Sequence, residues 1–297
     1  MATEVRLKIR GVRAIHSAPS SQNLTTGGNT SSIEFIDDNH HIFINAGFGI
    51  NEAGDEWMEK RKKQKNAFHA TILFSDFMWD STMGLPFFAP MHLKSSQIDI
   101  LTGASVIEAK EAMNDVSSNL FTPFNGADSF AAKVSIKKVT SSSQIGRWTI
   151  NALSLDHPLT PYPITIWRLV HKLGMDIGVI MLCNNDKFSM DKVQKFLAGC
   201  KTLLCAASNS TCRDQWSNHR TTFSDALSIA LSTGAQELYL NQFHPEMNDL
   251  NLQRELAKLQ STLLLTQTKQ AHRLKIHLGS EIEEILPIYA NLNTKAG

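Results

Sequence analysis

The sequence predicts an α/β chain folded as a four-layer αββα sandwich, in one domain spanning residues 1–297. Short runs rich in β-branched and aromatic residues fall into two clusters, and helical patterns follow several of them. Two facing sheets with helices on their outer faces is the arrangement that buries the apolar side of each such element. Nothing divides the chain: the sequence shows no internal repeat, no low-complexity tract and no linker-like stretch.

The elements follow in order. Residues 5–9 alternate apolar and polar side chains and read as a first strand. A Ser/Gly/Asn-rich loop covers 17–32, and strands at 32–36 and 41–44 pair across the turn Asp37-Asp38-Asn39. Residues 56–66 predict a charged helix whose basic run is a solvated face. The adjacent pair His40 and His41 sits beside the turn and reads as solvated, and His69 as a strand-end residue. A short apolar strand covers 70–74, and Gly84-Leu-Pro-Phe-Phe opens the next element. The pattern over 105–143 is mixed, with Ser141-Ser-Ser as a turn. Residues 148–155 and 164–171 alternate, and 176–182 is a buried strand. A short helix at 191–198 and a strand at 203–206 follow, then a helix at 222–232 closed by Gly234 as its C-cap. A strand at 237–240 precedes the longest helix, 249–265, with an apolar stripe of Leu250, Leu252, Leu256, Leu259 and Leu263. The last strand covers 274–278.

Composition narrows the function classes. Of 297 residues, 42% are hydrophobic and 19% charged, which suits a globular chain able to bury a core without metals or disulfides. A formal charge of +1 gives no bulk signal for nucleic acid or an anionic membrane. No apolar run approaches the roughly 20 residues of a membrane span, and the N-terminus lacks the apolar core of a secretory signal. The cysteines, Cys183, Cys200, Cys205 and Cys212, show no CxxC spacing and read as reduced thiols. The expected location is the cytoplasm.

Five ordered segments carry a family resemblance. Arg10-Gly-Val-Arg, Gly27-Gly-Asn-Thr-Ser-Ser and Ile44-Asn-Ala-Gly-Phe-Gly-Ile resemble the opening of metallo-β-lactamase-fold hydrolases. The similar branch holds ribonuclease Z, the cyclic-phosphate diesterases of phosphonate breakdown and a protein of quinone-cofactor synthesis. Residues 73–88, from Leu73-Phe-Ser-Asp through Gly84-Leu-Pro-Phe-Phe, are similar to that family's central motif, Thr-His-x-His-x-Asp-His followed by Gly-Leu-Pro-Phe-Phe. Leu155-Asp-His-Pro, the helix from Thr221 and residues 238–245 then fall in the family's order, so the resemblance covers residues 5 to about 250.

The family's chemistry uses two metal ions, usually zinc, bridged by an activated water. The resemblance places its motif histidines on Asp76, Met78 and Ser81, its motif aspartate on Asp80 and its next ligand histidine on His157. Its bridging aspartate falls on Ala207 and its last ligand histidine on Gln242. Two of the seven positions, Asp80 and His157, keep the ligand type. Two supporting aspartates fall on Asn45 and Asn185, and the helix-capping histidine that serves the leaving group falls on Arg220. One- or two-residue slips would bring His219 or His244 in instead. Trp79, Met83, Phe87 and Phe88 read as core or pocket wall, and residues 119–125 resemble the loop over the entrance. Asp80 reads as capping a turn or helix start, and Arg220 either as an anion fork or as the partner of an acid at the helix start.

The expectation is a catalytically inactive relative with no catalytic residue and no cofactor. It would use Asp76, Met78, Asp80, Ser81, His157, Arg220 and Gln242 as a pocket for a small ligand, phosphate-containing ones included, or for a protein partner. The alternative is a metal-dependent phosphodiesterase holding zinc or manganese through Asp76, Asp80 and His157. A homodimer is the expected assembly.

Overall fold

The computed structural model describes residues 5–63, 67–158, 160–183, 186–208 and 220–285. The first half lays down β1 (Arg6–Gly11), β2 (Ser32–Asp37), β3 (His40–Ile44), α1 (Ile50–Lys63), β4 (His69–Phe74), the single-turn α2 (Trp79–Thr82), β5 (Gln97–Thr102), α3 (Val106–Val116) and β6 (Lys133–Lys138). The second half adds β7 (Ser142–Ile145), β8 (Trp148–Leu155), β9 (Ile164–His171), β10 (Asp176–Ile180), α4 (Lys187–Phe196) and β11 (Thr202–Ala206). It ends with α5 (Phe223–Thr233), β12 (Glu237–Asn241), α6 (Asp249–Leu265), β13 (Lys275–Leu278) and β14 (Glu284–Ile285).

These strands form two sheets, in the orders β14-β1-β2-β3-β4-β5-β6 and β13-β12-β11-β10-β9-β8-β7. In each, one half is antiparallel and the other parallel: β3 through β6 run parallel in the first, β10 through β13 in the second. Parallel strands need covering on both faces, and the period-two alternation supplies two apolar faces. Ile42, Ile44 and Leu73 point into the layer between the sheets, with Ile33, Phe35, Trp148, Ile150 and Trp167. Their neighbours Phe43, Ile72 and Phe74 point outward and pack with Ile50, Phe68 and Phe88 beneath α1. The predicted αββα order of layers is therefore the observed one.

Several element boundaries differ from expectation, each for a local reason. Helix α1 starts at Ile50 because Ile50 and Ala53 supply its buried face, leaving the charged run as its exposed end. β5 had no expectation, and the mixed region just after it resolves into α3, β6 and the start of β7. Its helix starts with a capping box, Glu108 N–H donating to Ser105 Oγ at 3.2 Å and Ser105 N–H to Glu108 Oε2 at 2.6 Å. Residues 142–145 are strand, the turn falling instead at Gly146 (φ 55°). Helix α4 begins early because Asp186 caps it, accepting from Ser189 N–H at 3.0 Å. Leu250, 59% exposed, stands outside the stripe in which Leu252 and Leu259 are buried.

His40 and His41 are not solvated. His40 Nε2 lies 3.1 Å from Thr71 Oγ1, and His41 Nδ1 lies 2.6 Å from Glu34 Oε1. Glu34 also accepts from Arg10 Nε at 2.8 Å, and Arg10 makes a two-pronged pair with Glu56 of α1 at 2.7 and 2.8 Å. Burial raises the Glu34 pKa, but the hydrogen bonds and charges of His41 and Arg10 outweigh it and hold the carboxyl below its ordinary value. This ion cluster ties α1 to the first sheet.

Candidate functional site

The C-terminal ends of β3, β4, β11 and β12 converge at one edge of the sandwich. Thr165 N–H donates to Ser75 O at 2.7 Å across the two sheets, and Ala207 N–H to Asn241 O at 2.7 Å. Asn45, just past β3, is left-handed (φ 60°), a conformation asparagine tolerates better than most residues. Its Oδ1 accepts from Ser75 N–H at 2.8 Å and its Nδ2 donates to Ser81 Oγ at 2.9 Å. A Cβ on Gly84 would meet Gly47 O at 2.2 Å, so the motif glycine lets α2 lie backbone to backbone on the 45–49 turn.

Two buried carboxyls and one buried guanidinium occupy this edge. Asp76 accepts from Met78 N–H at 2.9 Å and from the Ser81 hydroxyl. Burial, then the charge of Asp80, push its pKa up to about 6, partly offset by these bonds and by Arg220. Asp80 Oδ2 accepts from Ile15 N–H at 2.7 Å and stands 3.6 Å from Arg220 Nη2. The local turn-capping expected of Asp80 thus belongs to Asp76, while Asp80 pins a loop 65 residues away. Arg220 meets no acid at the start of α5, because Asp225 is engaged in a capping box with Thr222. It turns to Asp80, and its Nε and Nη2 make no hydrogen bond among the described residues although the residue is only 4% exposed.

The remaining positions are more dispersed. Met78 packs against the inter-sheet core and lines a cavity with Asp80 and Arg220. His157 and Gln242 are buried and do not line it. Gln242 is strained at φ 58°, with Oε1 lacking a partner. His244 Nδ1 accepts from Glu246 N–H at 3.3 Å, which directs it into its own turn. Asn185, His219 and Cys212 lie outside the described residues. Unpartnered buried polar atoms gather at the same strand ends, on Ser75, Ser208, Thr221, Asn241 and Gln242. Such atoms are rare in folded proteins and mark places where a further polar group belongs.

The cavity measures about 760 Å³ and is walled by Phe77, Trp79, Phe121, Tyr162, Pro161 and Ile15. Phe121 and Trp79 meet edge to face at 6.0 Å, and so do Phe77 and Tyr162 at 6.1 Å. Of residues 119–125, Phe121 lines the cavity; the contributions of Ile15 and of residues 160–162 had no sequence signal, since they arrive from distant loops.

The donors present do not fit a two-metal centre. Among the described residues no three His, Cys, Asp or Glu side chains form a group able to hold a metal ion. Asp76 and Asp80 each spend an oxygen on a backbone N–H, a guanidinium stands 3.6 Å from Asp80, and the Ala207 side chain offers no donor. Asn45 Nδ2 donates to Ser81 Oγ, whose hydroxyl donates to Asp76. Asn45→Asp should therefore destabilise the fold by about 2 kcal/mol or more at neutral pH, by losing a donor and adding a third carboxyl. Urea unfolding of the variant checks this, and an unchanged midpoint would refute the chain of donors.

No protein-family model and no curated protein matches the sequence. Solved structures do. A metallo-β-lactamase-fold protein of Bacillus subtilis superposes with TM-score 0.63 at 14% identity, over 95% of this chain and 99% of that one. A diphosphatase of the PhnP family gives 0.63 at 13% identity, over 95% and 97%. The short form of human tRNase Z gives 0.59 at 14% identity, over 95% and 100%. The chain has the metallo-β-lactamase fold. Among the described residues no helix is long and apolar enough to cross a membrane.

Proposed function

We propose that this chain, built on the metallo-β-lactamase fold, is a non-hydrolytic binding protein that holds a small ligand in the cleft over the strand ends. The observation that carries the reading is the Arg220–Asp80 pair opening on a largely apolar cavity of about 760 Å³. A fixed guanidinium supplies positive charge beside the carboxylate, and as a cation with no acceptor lone pair it can neither activate a water nor act as a general acid. A cavity of that size, apolar with few polar groups, has the form of a small-molecule site.

The test is metal content and turnover together. After expression in zinc- and manganese-supplemented medium and dialysis, elemental analysis should find less than one equivalent of transition metal per chain. Bis(p-nitrophenyl) phosphate should not be hydrolysed above the blank with either ion added. Two equivalents surviving dialysis would sink the reading. Metal-dependent hydrolysis abolished by Asp80→Ala would establish the phosphodiesterase alternative on Asp76, Asp80 and His157.

A further inference from the structure

On the premise that the cleft binds without turnover, the charges a guest would meet narrow its class. Arg220 and Asp80 are almost fully buried and face each other at 3.6 Å, so their charges largely cancel. The other charged residue lining the cavity among the described ones is Asp115, and it is exposed. Asp115 stands in the last turn of α3, which holds no basic residue and carries the negative end of the helix dipole. Glu108, Glu111 and Asp115 follow the spacing i, i+3, i+7 and share one face of that helix. Tyr162 in the cavity wall feels all three: burial, then Glu111, Asp115 and Glu108, raise the pKa of its hydroxyl. Glu108 is spent on the capping box, which leaves Glu111 and Asp115 as free negative charge beside the opening.

The walls suit a positive guest of a particular kind. Trp79 with Phe121 and Phe77 with Tyr162 form two edge-to-face pairs along the cavity. Trp79 is 49% and Phe121 65% exposed, so both rings are open to a guest. The negative face of an aromatic ring attracts a cation held close to it, and tryptophan does so best. The threonine hydroxyls of the lining are already engaged, Thr82 donating to Met78 O at 2.9 Å and Thr160 to Tyr162 O at 3.2 Å. A head group without N–H bonds therefore loses least on leaving water here. We infer that the cavity takes an organic monocation with a quaternary ammonium head and an apolar body, the head among the exposed aromatic rings beside Asp115. Anions of similar size, phosphate esters and nucleotides included, are repelled by the acidic face of α3.

Calorimetry on the full chain at pH 8 and low ionic strength tests this with three probes: (2-naphthylmethyl)trimethylammonium, 2-naphthalenemethanol and 2-naphthoate. The cation should bind saturably, and about tenfold or more tighter than either of the other two. Phe121→Leu keeps apolar bulk but removes a ring face, and should weaken the cation about fivefold while leaving the alcohol within about twofold. Asp115→Asn should weaken the cation about threefold, and added salt should reproduce that loss in the wild type. Both substituted side chains are exposed, so neither variant puts the fold at risk. Absence of saturable cation binding, or cation affinity unchanged in both variants, overturns the inference. Binding of the alcohol or of 2-naphthoate as tight as that of the cation overturns it too, but leaves the binding-protein reading standing. Cation binding that follows the expected pattern, found together with metal-dependent hydrolysis of bis(p-nitrophenyl) phosphate, would support the cation site and sink the non-hydrolytic reading alone.

Discussion

Arg10→Met will lower the free energy of unfolding by about 3–5 kcal/mol, the usual cost of removing one partner from a buried ion pair. Arg10 and Glu34 are both almost fully buried, and the guanidinium gives Nε and Nη2 to Glu34 and two nitrogens to Glu56. Without it, Glu34 keeps His41 as its charge partner in a region closed by β1, β2 and α1, whereas half-buried Glu56 can turn to water. Methionine fills much of the arginine's volume, so the loss reads the stranded charge more than an empty cavity. The control is Arg10→Met with Glu34→Leu, which removes both ends and should recover a large part of the loss, since apolar replacement of a buried pair is often near neutral. Urea unfolding decides: a single-variant loss under about 1 kcal/mol, or a double variant no better than the single, contradicts the ion-pair account.

The fold was readable because its determinants are local or periodic. Alternation in the two strand clusters, the Gly234 cap and the long α6 pattern each depend on a few neighbouring residues, and the structure places strands or helices there. The places where the reading slipped have the same character in reverse. Helix α1 starts at Ile50 because of what lies beneath it, and β5 alternates only over Gln97 to Ile100 before Leu101 breaks the period. The Ser105-x-x-Glu108 signature of α3 was present in the sequence, but its significance depends on a helix whose length the mixed region concealed.

The site was legible only as a set of positions. Motif order brought Asp76, Met78, Asp80 and Ser81 onto one turn, and the structure keeps them there. What each side chain does was not local. Asp80 answers to Ile15 and Arg220, at sequence separations of 65 and 140, and no window of sequence shows either contact. The pair His40 and His41 misled for the same reason: beside a turn they read as exposed, but β3 is paired on both edges and covered on both faces. A local motif names the positions on the turn, whereas the contacts their side chains make appear only when the strand ends are brought together.

The guanidinium beside two buried carboxyls makes a quantitative demand on Arg220→Ala. Two carboxyls, Asp76 and Asp80, would then share a buried site without their nearby cation. In the wild type Asp76 sits at about 6 against an ordinary value of 3.8. The folded state therefore binds more protons than the unfolded chain between those values, and this group's contribution to stability falls as pH rises through that window. Arg220 lowers the Asp76 pKa, so its removal raises that pKa further and extends the loss above pH 6. Each additional pKa unit corresponds to about 1.4 kcal/mol, and stranding the pair altogether to about 3 kcal/mol. Arg220→Ala should thus cost about 1 kcal/mol at pH 5, where a proton on Asp76 relieves the repulsion, and about 3 kcal/mol at pH 8. Arg220→Ala combined with Asp76→Asn should lose most of that pH dependence, because only one carboxyl remains. Urea midpoints at pH 5, 6.5 and 8 provide the measurement. A cost equal at all three pH values would mean that Arg220 acts through packing alone, and the guanidinium would then not be the charge that lets these two acids share the site.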